Sequence, residues 1–444
     1  MVVALAPTPR SAGLTDELKP ALAPIDALFA ADRCLECGGP YAEAPCVVAC
    51  PADVDVPRFV AQIGDGDPLA AALTIAEENV LGASCARVCP TEVLCEGACV
   101  LLSRGMRPVE IGRLQRYAMD EALGAGITLR TAKAARQERV AVVGAGPAGL
   151  ACAAELACEG YQVTVYDERA EIGGLVRYAI APYRIQREPL PQEAAFVESL
   201  GVEIKLSTPV DGALLHELER ESDAIFLGIG LGADQESPYP GDDLPGVWES
   251  LKFVEALKTG QAPEVGDAVV TIGGGNTAID VAREALRLGA LSSTLVYRRR
   301  EEDMPAYPHE VEEAREEGVQ FRFQVVPVRF VGTDRLEGVE LHEVRLADAD
   351  GSGRPRPVPV EGSEFVLPCS AAIRAIGQQA RNAFLEEIEG LETEWGIIRV
   401  DPETGRTANP HYYAGGDATN GGATAVGAVG HGKRAARAIH EALS

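Results

Sequence analysis

An α/β fold preceded by a helical, cysteine-bearing segment is what this chain of 444 residues predicts, and three observations carry the prediction. A short apolar run, Val140–Val143, opens directly into Gly144-Ala-Gly-Pro-Ala-Gly149. The same texture returns from Ala268 to Ala278, and eight of the eleven cysteines are gathered between Cys34 and Cys99. Together they divide the chain into a helical domain (1–135) and two Rossmann-like dinucleotide-binding domains. The second of these (266–369) is inserted in the first (136–265 and 370–444).

The bulk properties agree with that division. A chain of this length exceeds one ordinary core, and 46% hydrophobic content is that of a globular protein able to bury a large cofactor. Met1 to Pro20 lacks a basic lead followed by an apolar run, and nowhere do about eighteen apolar residues follow one another, so a cytoplasmic location is expected. Thiols stay reduced there, and clustered cysteines then point to metal or redox chemistry rather than to disulfides. A net charge of −27 speaks against binding nucleic acid or an anionic membrane.

In chain order, residues 1 to about 33 read as a weakly structured arm punctuated by Pro7, Pro9, Pro20 and Pro24. Asp67-Pro68 is a helix start, with Asp as cap and Pro in the first turn, and apolar residues at helical spacing follow from Leu69 to Asn79. A second helix is expected from Val109 to Leu123, ended by Gly124. The first βαβ unit follows: strand to Val143, helix to Gly160, strand Val163–Tyr166. The second comprises the strand Ala268–Ile272, a helix to Gly289 and the strand Thr294–Tyr297. In both, the first glycine and the glycine closing the helix are sixteen residues apart, so one architecture is repeated. The remainder holds a strand at Ala371–Ile376, the element Tyr412-Tyr-Ala-Gly-Gly-Asp417 and a helix from about Thr424 to Leu443, all assigned to the first unit.

A GxGxxG alone is weak evidence, but each copy lies between a strand and a helix. In the first, Gly144 permits a tight turn, Gly146 lets backbone approach a pyrophosphate and Gly149 lets the helix pack on the strand. Pro147 and Ala148 open the helix whose N-terminus faces the phosphates, and Asp167 is placed to accept ribose hydroxyls. The second copy has Gly273, Gly275, Asn276, Thr277 and Ala278, and its strand ends in Arg298-Arg299-Arg300 instead of an acid. Guanidinium groups suit a 2′-phosphate and favour NADPH over NADH; the plainer alternative is a solvated basic strand end paired with Glu301, Glu302 and Asp303. Two dinucleotides suggest hydride transfer between a nicotinamide and a flavin, with Gly416 and Asp417 facing the ribityl chain of FAD. Cys152 and Cys158 read as packing residues and Cys369 is isolated; the nicotinamide unit has no CxxC for dithiol exchange.

The two cysteine runs are Cys34, Cys37, Cys46 and Cys50-Pro51, then Cys85, Cys89-Pro90, Cys95 and Cys99. This spacing is similar to the bacterial ferredoxin run, and two 4Fe-4S clusters need eight ligands. Structural zinc also suits a CxxC but leaves the Cys-Pro pairs unexplained. The segment from Leu81 to Cys99 (LGASCARVCPTEVLCEGAC), with Ile111–Tyr117 (IGRLQRY), closely resembles the N-terminal half of dihydropyrimidine dehydrogenases and their separate bacterial flavin subunit. Together with Tyr297–Pro305 (YRRREEDMP), Glu310–Gly318 (EVEEAREEG) and Gly173-Gly174-Leu175, it is also similar to the glutamate synthase small subunit. The resemblance covers nearly the whole chain. It implies one cluster held by Cys34, Cys37, Cys46 and Cys99 and a second by Cys50, Cys89, Cys95 and the Gln115 amide, with Cys85 a non-ligand, and it places Gly174 and Leu175 at the flavin. Spacing by itself nominates Cys85 over Gln115. Two departures stand out: eight residues separate Cys37 from Cys46, and Arg177–Pro182 replaces a Gly-Ile-Pro segment.

The expectation is an NAD(P)H-dependent FAD/iron-sulfur oxidoreductase acting as an electron-input subunit, which passes electrons from NADPH through FAD to the clusters and on to a partner of glutamate synthase or dihydropyrimidine dehydrogenase type. No side chain need act as acid or base in that transfer. A transhydrogenase or electron-bifurcating ferredoxin-NADP oxidoreductase subunit would use the same residues. A zinc-stapled, non-catalytic binding protein is the alternative from another class.

Overall fold

The computed structural model describes residues 13, 15–39, 42–237, 239–349 and 354–444. Pro7 and Pro9 of the expected arm lie outside them. Pro24 does not prolong an arm but starts a helix, α1 (Pro24–Ala31), where its missing N–H forfeits no bond. Short helices α2 (Pro45–Val48) and α3 (Val56–Gly64) follow. Next comes α4 (Pro68–Glu78), capped as expected: the Asp67 carboxylate accepts the Ala70 N–H at 2.9 Å. After α5 (Gly82–Val88), α6 (Ile111–Ala125) runs past the expected stop at Gly124, because Gly126, at φ +65°, supplies the left-handed cap. Phe59, Ile63, Ile75, Leu81, Leu114 and Met119 are fully buried among these helices.

The α/β part continues with β1 (Arg139–Val143), α7 (Pro147–Cys158), β2 (Gln162–Tyr166), α8 (Leu175–Tyr178), α9 (Leu190–Ser199), β3 (Glu203–Lys205), α10 (Gly212–Glu221) and β4 (Ala224–Leu227). Then come β5 (Val247–Glu249), α11 (Ser250–Lys258), β6 (Ala268–Gly273), α12 (Asn276–Arg287), β7 (Ser292–Tyr297), α13 (Pro308–Glu316) and β8 (Gln320–Phe323). An antiparallel sheet uses β9 (Val325–Gly332), β10 (Leu336–Ala349), β11 (Pro355–Pro359) and β12 (Phe365–Pro368). The chain ends with β13 (Ala371–Ala375), α14 (Asn382–Leu385), the hairpin β14 (Thr393–Glu394) and β15 (Ile397–Ile398), β16 (Tyr412–Ala414), α15 (Asp417–Asn420) and α16 (Ala425–Leu443).

Two parallel five-stranded sheets have corresponding orders, β16-β4-β1-β2-β3 and β5-β13-β6-β7-β8. In the first, Val142 lies level with Val165 on one side and Phe226 on the other. In the second, Thr271 lies level with Leu295 and Ile373. Strand β4 is buried at every position, as expected where helices cover both faces.

The expected domain boundaries change. Strand β13 pairs with β6 and β5, so the segment holding Ala371–Ala375 completes the second sheet and not the first. The chain forms two compact bodies. One comprises Leu18–Arg177, Arg184–Gly232 and Ala380–Ser444; the other comprises Tyr178–Tyr183, Ala233–Gln379 and the described residues from Gly13 to Glu17. No boundary falls at 135/136, because the helical segment and the first sheet share one hydrophobic core, in which Leu114 and Met119 join Leu150 and Leu156 of α7.

Candidate functional site

The first glycine fingerprint is shaped by contacts no side chain could share. A Cβ on Gly144, at φ +103°, would lie 2.3 Å from the Gly228 carbonyl oxygen, and one on Gly149 would lie 1.9 Å from that of Gly144. Gly146, by contrast, is extended and open, and it heads α7 with no side chain capping the helix amides. Those N–H groups and the helix dipole suit a pyrophosphate. A Cβ on Gly174 would lie 3.2 Å from the Gly146 Cα, so the Gly173-Gly174-Leu175 turn borders the fingerprint. The Asp167 carboxylate accepts the N–H groups of Ala145 (2.6 Å) and Arg169 (2.7 Å), which aims it, while burial raises its pKa. Gly416, at φ +73°, approaches Ala148, and Asp417, raised in pKa by burial, accepts the Ala423 N–H at 3.2 Å. Thus Gly144–Gly149, Asp167, Gly174 and Gly416-Asp417 converge at the sheet's carboxyl edge, where dinucleotides bind in such folds. His431 of α16 is an addition that sequence reasoning missed: its Nδ1 accepts the Gly416 N–H at 3.1 Å, which leaves the ring proton on Nε2.

The second fingerprint, in the other body, has the same plan. Gly273 turns at φ +149° and Gly275 heads α12, again without a side-chain cap; no atom lies within 4 Å of where its Cβ would stand. Ala278 is fully buried, and the Asn276 side chain accepts the Tyr307 N–H at 2.9 Å, so its carbonyl is committed to the loop. The three arginines part company. Arg299 is buried and donates from Nε to the Pro355 carbonyl at 2.7 Å, and Arg300 turns to Glu302 and Asp303. Arg298 is exposed and pairs with no carboxylate among the described residues. The expected phosphate-binding pair Arg298 and Arg299 therefore reduces to Arg298.

The cysteines fall into two groups. Cys34, Cys37, Cys46 and Cys99 line one cavity, walled by Val56, Val60, Val109 and Ile111. Cys50, Cys85, Cys89 and Cys95 form the second, close enough that their charges act on one another. Among the described residues no three Cys, His, Asp or Glu side chains converge as one metal ion requires. The first group rings a cavity instead, which fits a multi-iron cluster with a thiolate at each corner. Burial raises the Cys46 thiol to about 11 and pushes Cys95 up, and the hydrogen bond with Cys85, with burial behind it, pushes Cys89 up, so metal binding must displace their protons. Gln115 on α6 donates its amide nitrogen to the Gly82 carbonyl at 2.7 Å, leaving Oε1 with free lone pairs. Cys85 is buried and hydrogen-bonded to Cys89. Sequence reasoning also missed Glu193 of α9. This fully buried carboxylate, raised to about 7 by burial, accepts from both the backbone N–H and hydroxyl of Ser84.

No helix among the described residues is long and apolar enough to cross a membrane. Residues 12–127 match the family model described as dihydropyrimidine dehydrogenase domain II, 4Fe-4S cluster. Residues 138–432 match that of the pyridine nucleotide-disulphide oxidoreductases. The glutamate synthase [NADPH] small chain of Halomonas elongata is 38% identical over 95% of this chain and 91% of its own. The beta subunit of a NADP(+)-dependent formate dehydrogenase from Moorella thermoacetica is 37% identical over 91% of this chain but only 60% of its own length. Among solved structures, Mycobacterium tuberculosis FprA in complex with NADPH superposes with a TM-score of 0.57 at 20% identity, over 69% of this chain and 85% of its own; this is a likeness of fold. The chain therefore belongs to the pyridine nucleotide-disulphide oxidoreductases, within the iron-sulfur-bearing group that includes the glutamate synthase small chains.

Proposed function

We propose that the chain is the NADPH-oxidising electron-input subunit of a hetero-oligomer, with FAD on the first sheet, NADPH on the second, and two 4Fe-4S clusters among the helices. Electrons leave through the clusters to a partner subunit that carries the final chemistry. The carrying observation is that the flavin-type fingerprint and both cysteine groups belong to one compact body. Bound flavin supplies the exchange between two-electron and one-electron chemistry. The chain's residues position: uncapped helix amides behind Gly146 and Gly275 would hold the pyrophosphates, Asp167 the ribose, and Arg298 the 2′-phosphate.

Cys34, Cys37, Cys46 and Cys99 would hold the first cluster. Cys50, Cys89, Cys95 and the Gln115 oxygen would hold the second, since the Gly82 carbonyl already fixes the amide nitrogen. The test is iron and flavin analysis of anaerobically purified protein, with EPR of the reduced state. Gln115→Ala is expected to alter one cluster signal and Cys85→Ala neither. The reverse would make Cys85 the ligand, and zinc without iron would end the reading.

A further inference from the structure

Helix α16 starts at the Thr424 cap, close after Gly416-Asp417, and meets the segment behind Cys50 at two points three residues apart. Gly430 lies so near that a Cβ would stand 2.1 Å from the Pro51 carbonyl oxygen. Lys433, with its side chain 3% exposed, donates from Nζ to the Ala52 carbonyl at 2.6 Å and pairs with Glu78. The loop so gripped is held in an uncommon conformation: Asp53 has φ +58°, and the N–H groups of Ala52 and Val54 both point to the Cys50 sulfur. Donors to a ligating sulfur, and the groups that fix them, set the stability and potential of such a site.

We propose that Lys433 is a positioning residue that locks the Cys50 loop against the flavin helix and holds up the reduction potential of the cluster that Cys50 ligates; this rests on the cluster reading above. An electron arriving at the site adds one negative charge, which a buried ammonium favours. Glu78 offsets that ammonium only in part, because its carboxylate is 33% exposed and screened by water. Removing the amine also releases the Ala52 carbonyl and so frees the loop that aims both donors at Cys50.

The experiment is an EPR-monitored redox titration of the full chain, with iron and flavin content measured alongside. Lys433→Met is expected to lower the midpoint potential of one cluster and leave the other unmoved. Loss of that cluster to a chelator should quicken by about 10- to 100-fold, the usual cost of removing an outer-shell partner. Lys433→Arg should restore much of the potential. Gly430→Ala, which wedges α16 off Pro51, should disturb the same cluster should the methionine variant prove unstable. Arg437→Ala, which removes an ion pair with Glu78, should change neither signal. Two intact signals in the wild type with neither moved in Lys433→Met or Gly430→Ala would overturn the role of Lys433 alone. Wild type without iron would overturn the reading beneath it.

Discussion

The two βαβ units share a sheet order and a sixteen-residue spacing, yet they solve the third fingerprint position in opposite ways. In the first, α7 lies so close to its turn that Gly149 leaves 1.9 Å between a would-be Cβ and the Gly144 oxygen. In the second, Ala278 already carries that carbon and is fully buried. The strand ends differ too: Asp167 is pinned by two backbone N–H groups, whereas Arg298 stands exposed. Close packing of the helix and the chemistry of the strand end are thus set by separate residues, and each can be altered alone.

The largest effect is expected at the tighter turn. Gly149→Val should force α7 away from β1, destabilising the fold by about 3 kcal/mol and abolishing flavin retention, read as the flavin-to-protein absorbance ratio and the Tm. Gly275→Ala, at the open second position of the other fingerprint, has nothing in its way, so its Tm should match wild type. A comparable loss of Tm in both would mean the two turns are equally crowded, against the distances given above.

Second in size is the strand end. Losing a charge-assisted contact to phosphate costs about 1.5–3 kcal/mol, so Arg298→Ala should raise the KM for NADPH by about 10- to 100-fold and leave NADH use unchanged. Arg299→Ala should instead lower the Tm, since that guanidinium is spent on the Pro355 carbonyl. Equal losses with both nucleotides in Arg298→Ala would leave the second unit without a phosphate-reading residue.

The legibility of these features follows from range. Both fingerprints, the cap at Asp67 and the helix starting at about Thr424 were readable because each is fixed within a few neighbouring residues. Strand β13 was assigned to the wrong sheet because a buried parallel strand carries no mark of its partner; only the register of Ile373 against Thr271 decides it. Arg299 looked like Arg298 because strand alternation does not reveal which side meets β11. Glu193 and Lys433 were invisible for a further reason. Each acts on a segment more than a hundred residues away, at Ser84 and Ala52, and a single glutamate or lysine in a helix reads as surface.

A pH-dependent effect separates the two helices that follow the turns. Helix α7 buries cysteine, alanine and leucine, whereas α12 buries Asp280, Arg283 and Glu284. Burial, reinforced by Asp280, lifts the Glu284 carboxyl from 4.5 to about 8. Between those values the folded state holds a proton that the unfolded state has released. Stability therefore falls as pH rises through that window, by at most about 1.4 kcal/mol per pH unit from this group, and levels off above it. Glu284→Gln removes the titration. Its Tm should equal that of wild type near pH 4.5 and exceed it increasingly towards pH 8, while flavin content stays constant because the group lies on α12 and not on the flavin sheet. Parallel Tm curves for the two proteins across that range would show that Glu284 is ionised in the fold, and α12 would then differ from α7 in composition only.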